Sequence, residues 1–450
     1  MPALSTAALC VTAIISRVFA RLSRPPSPMP DPASTPTAAS AATSAFRLAP
    51  LLLAALVGTM AMMAYVAIIG PVVRQLGVSE MVAGISMSIG GVFWMLLART
   101  WGRTSDRLGR KPVLLIGLGV FTLTYALLAV FVDLALHQAL PAALIAIVLI
   151  AARSIIGAFY AAVPPTAAAT IADRVAPELR HQAMAKLGSA NALGMVAGPA
   201  IVSLVSGWGL QWGFYATAAL PLLGLLGIAL WLPAGLPPQA PQGGGSQPAH
   251  AAAPAAQAKA RPHLPLWDAR LRLAMATAFV AMMCVAVAQV AVGFFAMDQF
   301  GLSEERGARL AGHALTCVGL ALILSQQCVI HLKRIALRHW VIAGAGISAL
   351  GFASALLASQ PWHLLLAYAI GAFGMGFVFP AFQAMAANAV QAHEQGAAAG
   401  NASAAQGLGM VLGPMLGTGL YTLSPVAPYA GVALSLLALA AAVAWHGKRP

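Results

Sequence analysis

The nine residues NALGMVAGP, Asn191–Pro199, return 215 positions later as QGLGMVLGP, Gln406–Pro414, with six of nine identical. The same offset carries Pro165 onto Pro380 and Asp173 onto Asn388, and RQLGVSE (74–80) resembles DQFGLSE (298–304). Glycines and a proline matched in place argue for two related halves rather than a shared Ala/Leu bias. Both copies lie in apolar stretches. A helix needs about 20 apolar residues to cross the hydrocarbon of a bilayer. Twelve stretches qualify: 49–73, 80–100, 112–132, 140–172, 182–206, 210–232, 272–297, 308–331, 339–358, 362–387, 397–420 and 427–446. Pro233–Pro265, rich in Pro, Gly, Ala and Gln, reads as a flexible linker that divides them six and six.

The expected fold class follows: an all-α integral membrane protein with twelve transmembrane helices in two pseudo-symmetric six-helix bundles. The expected domains are a disordered extension (1–48), an N-terminal bundle (49–232), a cytoplasmic linker (233–271), a C-terminal bundle (272–446) and a short tail (447–450). Within the extension, Ala7–Ile15 is apolar but too short to span. Its arginines, Arg17, Arg21 and Arg24, follow the apolar run, the reverse of a secretory signal. A loose tail and a short interfacial helix both fit. Repeated six-helix halves are a transporter architecture, with a site near the midplane where the halves meet.

Composition agrees. Sixty per cent of residues are hydrophobic and 8% charged, against about 25% charged in soluble chains. A net charge of +14 raises nucleic acid as a partner, but the bases sit in short runs between apolar segments and form no reading face. The four cysteines, Cys10, Cys284, Cys317 and Cys328, make no C-x-x-C pair, and the ten histidines show no metal spacing. No nucleophile elbow or Walker loop appears, which argues against an enzyme. No cofactor or metal is expected.

Lys and Arg set the orientation. With both termini cytoplasmic, the inner segments hold 21 of the 25 basic residues; Arg74, Arg306 and Arg309 fall outside, and Arg153 lies within a span. That is a positive-inside pattern. Arg99–Pro112, RTWGRTSDRLGRKP, then becomes an inner loop with one acid, Asp106, among five bases.

These residues carry a family likeness. GRTSDRLGRKP (102–112) resembles the loop signature between the second and third helices of the major facilitator superfamily. RSIIGAFYAA (153–162), with Arg153 and Gly157, resembles its fourth-helix motif. GMVAGP (194–199) resembles the fifth-helix motif of drug–proton antiporters, and ADRVAPELR (172–180) is similar to the adjoining loop of bacterial drug exporters. The chain departs from the pattern in three places. Val202 and Ser203 stand where the fifth-helix motif continues to glycine, although the second copy keeps Gly417. The loop IHLKRIALRHW lacks an acid matching Asp106. No Asp or Glu lies in the middle of any span.

The resemblance implies a proton-driven exporter of small amphipathic molecules in the inner membrane, working as a monomer by alternating access, with the lipid bilayer and a small-molecule substrate as its partners. It implies a conformational latch of Gly102, Asp106, Arg107, Gly109, Arg110 and Asp173: Asp106 faces the start of a helix in the other half, and Arg110 pairs with Asp173. Arg153 lies about 15 Å into its span. A charge at that depth turns to the bundle interior or a watery cavity. Tyr160 shares its face. The other polar candidates for substrate or coupling are Tyr65, Asn191, Gln289, His313, Gln383 and Gln406, with His313 as proton carrier; each also reads as an interhelical hydrogen bond. Gly157, Gly194, Gly198, Pro199, Gly409, Gly413, Pro414 and Gly417 read as close packing or as hinges. Met60, Met62, Met63, Met282 and Met283 read as core, or as an adaptable apolar wall. A lone midplane arginine favours an anionic cargo, so a dedicated exporter of an anionic metabolite such as a siderophore is the nearest alternative. A transport-inactive membrane sensor or scaffold is the alternative of another class.

Overall fold

The computed structural model describes residues 47–233, 268–332, 335–391 and 394–446. The expectations for 1–46 and for most of the linker and tail lie outside them. Every regular element among the described residues is helical: α1 (Ala49–Gln75), α2 (Glu80–Leu108), α3 (Arg110–His137), α4 (Ala142–Tyr160), α5 (Val163–Arg174), α6 (Pro177–Val205), α7 (Leu210–Trp231), α8 (Arg272–Phe300), α9 (Glu304–His331), α10 (Leu337–Ser354), α11 (Pro361–Asn388), α12 (Gln395–Tyr421) and α13 (Ala427–His446), with two short 3₁₀ turns. Helices α4 and α5 form one span. It breaks at Ala161–Ala162, where Pro164 and Pro165 remove two backbone donors. Eleven segments among the described residues are long and apolar enough to cross a membrane. α12, with 27 residues and five glycines among Gly396, Gly400, Gly407, Gly409 and Gly413 before Pro414, completes the twelve-helix arrangement.

The two halves pack alike. In the first, α1 lies on α6, α2 on α4 and α3 on α7; in the second, α8 lies on α12, α9 on α11 and α10 on α13. Across the divide, α6 meets α9 and α2 meets α12, while α1 touches α8 and α9. These pairings repeat the sequence correspondence as a pseudo-twofold.

The halves touch closely at the end carrying Arg74, while several small and apolar residues towards the basic loops are open. A methyl group added at Gly293 would sit 2.8 Å from Pro71 Cδ, and one at Gly312 would sit 2.6 Å from the Pro199 carbonyl oxygen. At Gly102, Gly188 and Gly400, near the basic end, it would meet nothing within 4 Å. Leu96, Leu108 and Leu324 are exposed on helices α2 and α9 there.

Candidate functional site

Repeated glycines set the spacing within each half. A Cβ at Gly194 would lie 2.6 Å from the Leu56 carbonyl oxygen, and one at Gly198 2.3 Å from that of Met60, so α6 rests on α1 backbone to backbone. A Cβ at Gly409 would lie 2.5 Å from the Phe279 oxygen, one at Gly413 2.9 Å from that of Met283, and one at Gly417 2.6 Å from Val290 Cγ1, so α12 is seated on α8 in the same way. A Cβ at Gly157 would collide with the Gly90 carbonyl oxygen, so α4 rests closely on α2. Both helices α6 and α12 run on through their prolines, Pro199 and Pro414. In this conformation these residues are packing contacts.

Close approach of α1, α2 and α4 encloses Arg153. Its side chain is 4% exposed. The guanidinium lies 4.3 Å from the centre of the Tyr65 ring, and Nη1 reaches Met62 Sδ at 3.5 Å. Nε is buried without a hydrogen-bond partner. The Tyr65 hydroxyl lies 3.2 Å from Ser86 Oγ. Thr59 donates to Asn191 Oδ1 (2.9 Å) and lies 3.3 Å from the Tyr160 hydroxyl, whose ring stacks on Phe121. Arg153, Tyr65, Tyr160 and Asn191 thus belong to one polar core inside the first half. With no carboxylate in reach, the cation is held by the Tyr65 ring face, the Met62 sulfur and a hydrogen bond to the buried Tyr125 hydroxyl.

The second half encloses space instead. A cavity of about 180 Å³ is lined by Met63 of α1, Met195 of α6, Met282 and Gln289 of α8, Leu315, Val318 and Leu322 of α9, Phe352 of α10, Tyr368, Met375 and Phe379 of α11 and Met410 of α12, with four small or branched residues between. Both halves contribute. Of the polar candidates only Gln289 lines it. Arg153 does not, because Tyr65 and Met62 close over it. His313 lies two residues before Leu315, about 200° round the helix from the lining face. Gln383 is exposed and Gln406 half-buried, neither on this wall.

Charged clusters mark the two ends. At the Arg74 end, Arg74 donates to both Asp298 oxygens (2.5 and 3.1 Å) and to Glu80 (2.9 Å), and Tyr421 donates to Asp298 at 2.5 Å. Helices α1, α2, α8 and α12 meet there. At the basic end, Arg110 donates through Nε to Asp173 (2.8 Å) and through Nη1 to Asp106 and Ser105 (2.6 Å each). Gly109, at φ +91°, makes the joint between α2 and α3. Asp106 turns to Arg110 within its own half and is largely exposed, as is Arg107, and there is open space beside Gly102. Arg270 joins Asp268 and Glu394 (2.9 and 3.0 Å), a clasp within the second half. Arg270 holds the Asp268 carboxyl below the usual carboxylate range. Sequence reasoning did not find the Arg74–Asp298 and Arg270–Glu394 pairs. The first had a signal: Arg74 and Asp298 occupy the same place in RQLGVSE and DQFGLSE, with opposite charge. Among the described residues no group of His, Cys, Asp and Glu is placed to hold a metal ion.

The family model described as Major Facilitator Superfamily matches residues 2–136, 97–330 and 309–450. The chain is 29% identical over 372 residues to the class C tetracycline resistance protein of Escherichia coli, covering 80% of this chain and 86% of the relative. It is 27% identical to the class G protein of Vibrio anguillarum, covering 78% and 84%. A crystal structure of the peptide transporter POT in complex with sulfate shares the fold with a TM-score of 0.67 at 15% identity, covering 89% of this chain and 94% of that one. A bacterial homologue of the human lysosomal transporter Spinster does so at 0.63 and 16%, covering 93% and 98%. With two pseudo-symmetric six-helix halves around a shared cavity, and the family model matched along its length, the chain belongs to the Major Facilitator Superfamily and is a membrane transporter, not an enzyme.

Proposed function

We propose that the chain is a secondary active exporter of small amphipathic molecules, driven by proton antiport and working by alternating access. The observation that carries this reading is the cavity walled by both halves, shut at the Arg74 end and parted from the basic end. The excess of Lys and Arg at that basic end supports a cytoplasmic location for it and for both termini, and in this reading the conformation is inward-facing. Arg74, Asp298 and Tyr421 are the outer seal in this state. The Arg110–Asp173–Asp106 clasp keeps the inner loop of the first half in shape, ready to meet the second half when the inner side closes. Two relatives are tetracycline resistance proteins, which supports export of a drug-like molecule. The anionic-metabolite reading rested on Arg153 facing the cargo, and its guanidinium is closed off from the cavity. With no acid in mid-span, His313, at the α6–α9 seam beside Gly312, is the proton carrier in this reading.

The test is transport by the full chain in inverted membrane vesicles with an imposed proton gradient. Wild-type protein should accumulate a lipophilic drug only while the gradient lasts. His313→Gln should lose the gradient dependence and keep binding. No gradient-driven flux for any of a broad drug panel would sink the exporter reading. Full gradient-driven flux in His313→Gln would remove that residue from proton transfer.

A further inference from the structure

Charge is absent from the cavity wall, and the only polar side chains on it are those of Gln289 and Tyr368. The Tyr368 hydroxyl is already engaged: it donates to the Ala288 carbonyl oxygen at 2.6 Å and lies 2.9 Å from the Tyr429 hydroxyl. Its ring therefore faces the cavity as an apolar surface. That leaves the Gln289 amide, half-buried on α8, with no hydrogen bond to any described residue. It is the one group on the wall with a free donor and a free acceptor. Arg153, engaged with Tyr65 and Met62, is not among the residues of the wall.

We propose that this cavity selects uncharged aromatic molecules, anchored by one amide, carbonyl or hydroxyl group on Gln289; the proposal rests on the cavity being the cargo site. An ion entering such a wall would give up its hydration with no opposite charge to replace it. A neutral ring gives up little and gains contact with thioether groups, which adapt their shape and approach aromatic edges favourably. Five methionines around one guest, Met63, Met195, Met282, Met375 and Met410, give a wall that many ring shapes fit. Shape is thus weakly discriminated and charge strongly, because rejection of an ion comes from the missing partner rather than from a clash.

The test uses three fluorescent probes of one shape: anthracene-9-carboxamide, anthracene-9-carboxylate and 9-anthracenylmethylammonium. Their binding is measured by equilibrium dialysis against the full chain in nanodiscs, with empty nanodiscs as blank. The carboxamide should bind about tenfold or more tighter than either ion. Gln289→Leu should weaken the carboxamide by about tenfold and leave the ions as they were. Gln289→Glu, nearly the same in shape, should turn the preference towards the ammonium probe. Carboxylate binding equal to that of the carboxamide overturns the proposal, as does binding of none of the three, or a carboxamide indifferent to both substitutions. The exporter reading is separated by vesicle flux of the same probes. Charged and neutral probes moving at equal rates would end the selectivity proposal and leave export standing. Neutral binding without flux of any probe would do the reverse.

Discussion

The two halves repeat one helix arrangement and fill it differently. In the first, α1, α2 and α4 close around Arg153 and tie Tyr65, Ser86, Thr59, Tyr160 and Asn191 into a polar core. In the second, the equivalent region of α8, α9 and α11 stays open and apolar, with Tyr368 and Tyr429 turned to each other. The packing glycines are common to both and the contents are not. The scaffold is therefore set by where backbones touch, and the function by what each half leaves in its middle.

The largest effect should come from breaking what the halves share. Gly157→Ala, Gly198→Ala and Gly409→Ala each drive a methyl group against a backbone oxygen of the neighbouring helix, which cannot move aside as a side chain would. Each should cost about 1–3 kcal/mol and lower the yield and melting temperature of the purified chain. Gly188→Ala, with open space around it, should leave both unchanged. Equal tolerance at all four sites would mean that the three seams are not seated as described.

The next effect concerns what they do not share. Arg153 is a buried cation with an unpaired Nε and no acid beside it, so its charge is a cost to folding. Arg153→Met should keep or raise the melting temperature while cutting transport by about tenfold or more. A variant both less stable and fully active would reverse this assignment.

A smaller effect is expected at the seam between the halves. Arg74 and Asp298 are each about a third exposed, and a partly solvated pair contributes about 0.5–1 kcal/mol. A double-mutant cycle of Arg74→Gln and Asp298→Asn should give that coupling. Either change alone should raise labelling of single cysteines placed near the Arg74 end, as the closed state loses population. Smallest of all is the Arg270 clasp. Because Arg270 depresses the Asp268 carboxyl, its contribution is present at neutral pH and fades as pH falls below the ordinary carboxylate range. The difference in melting temperature between wild type and Arg270→Ala should shrink on acidification.

The fold was legible because its signals are local: apolar runs of bilayer length, a Pro/Gly-rich divider and one repeated motif. The break at Ala161 was not, since a run of small apolar residues hides it; Pro164 and Pro165 were the clue. The site was less legible. Spacing put Arg153, Gly157 and Tyr160 on one face of α4, but what lies opposite that face is a tertiary fact. Burial under Tyr65 closed the arginine off from the cavity it was expected to line. Met63 and Met282 were visible as a stripe, yet a stripe of methionines looks the same whether it fills a core or borders a hole. Gln289 could not be told from the other amides within spans, because only the arrangement around it leaves it without a partner.

The Arg74–Asp298 pair has a bearing on ancestry and on assembly. The two residues hold one position in the repeated motif and meet across the pseudo-twofold, so in a dimer of identical halves each would face its own twin. Two arginines or two aspartates would then repel at the axis. The bridge requires halves that differ at this position. It works against exchange: two first halves would set Arg74 against Arg74, and two second halves Asp298 against Asp298. The charge that fastens the ends of α1 and α8 is also a label by which each half accepts the other and refuses itself.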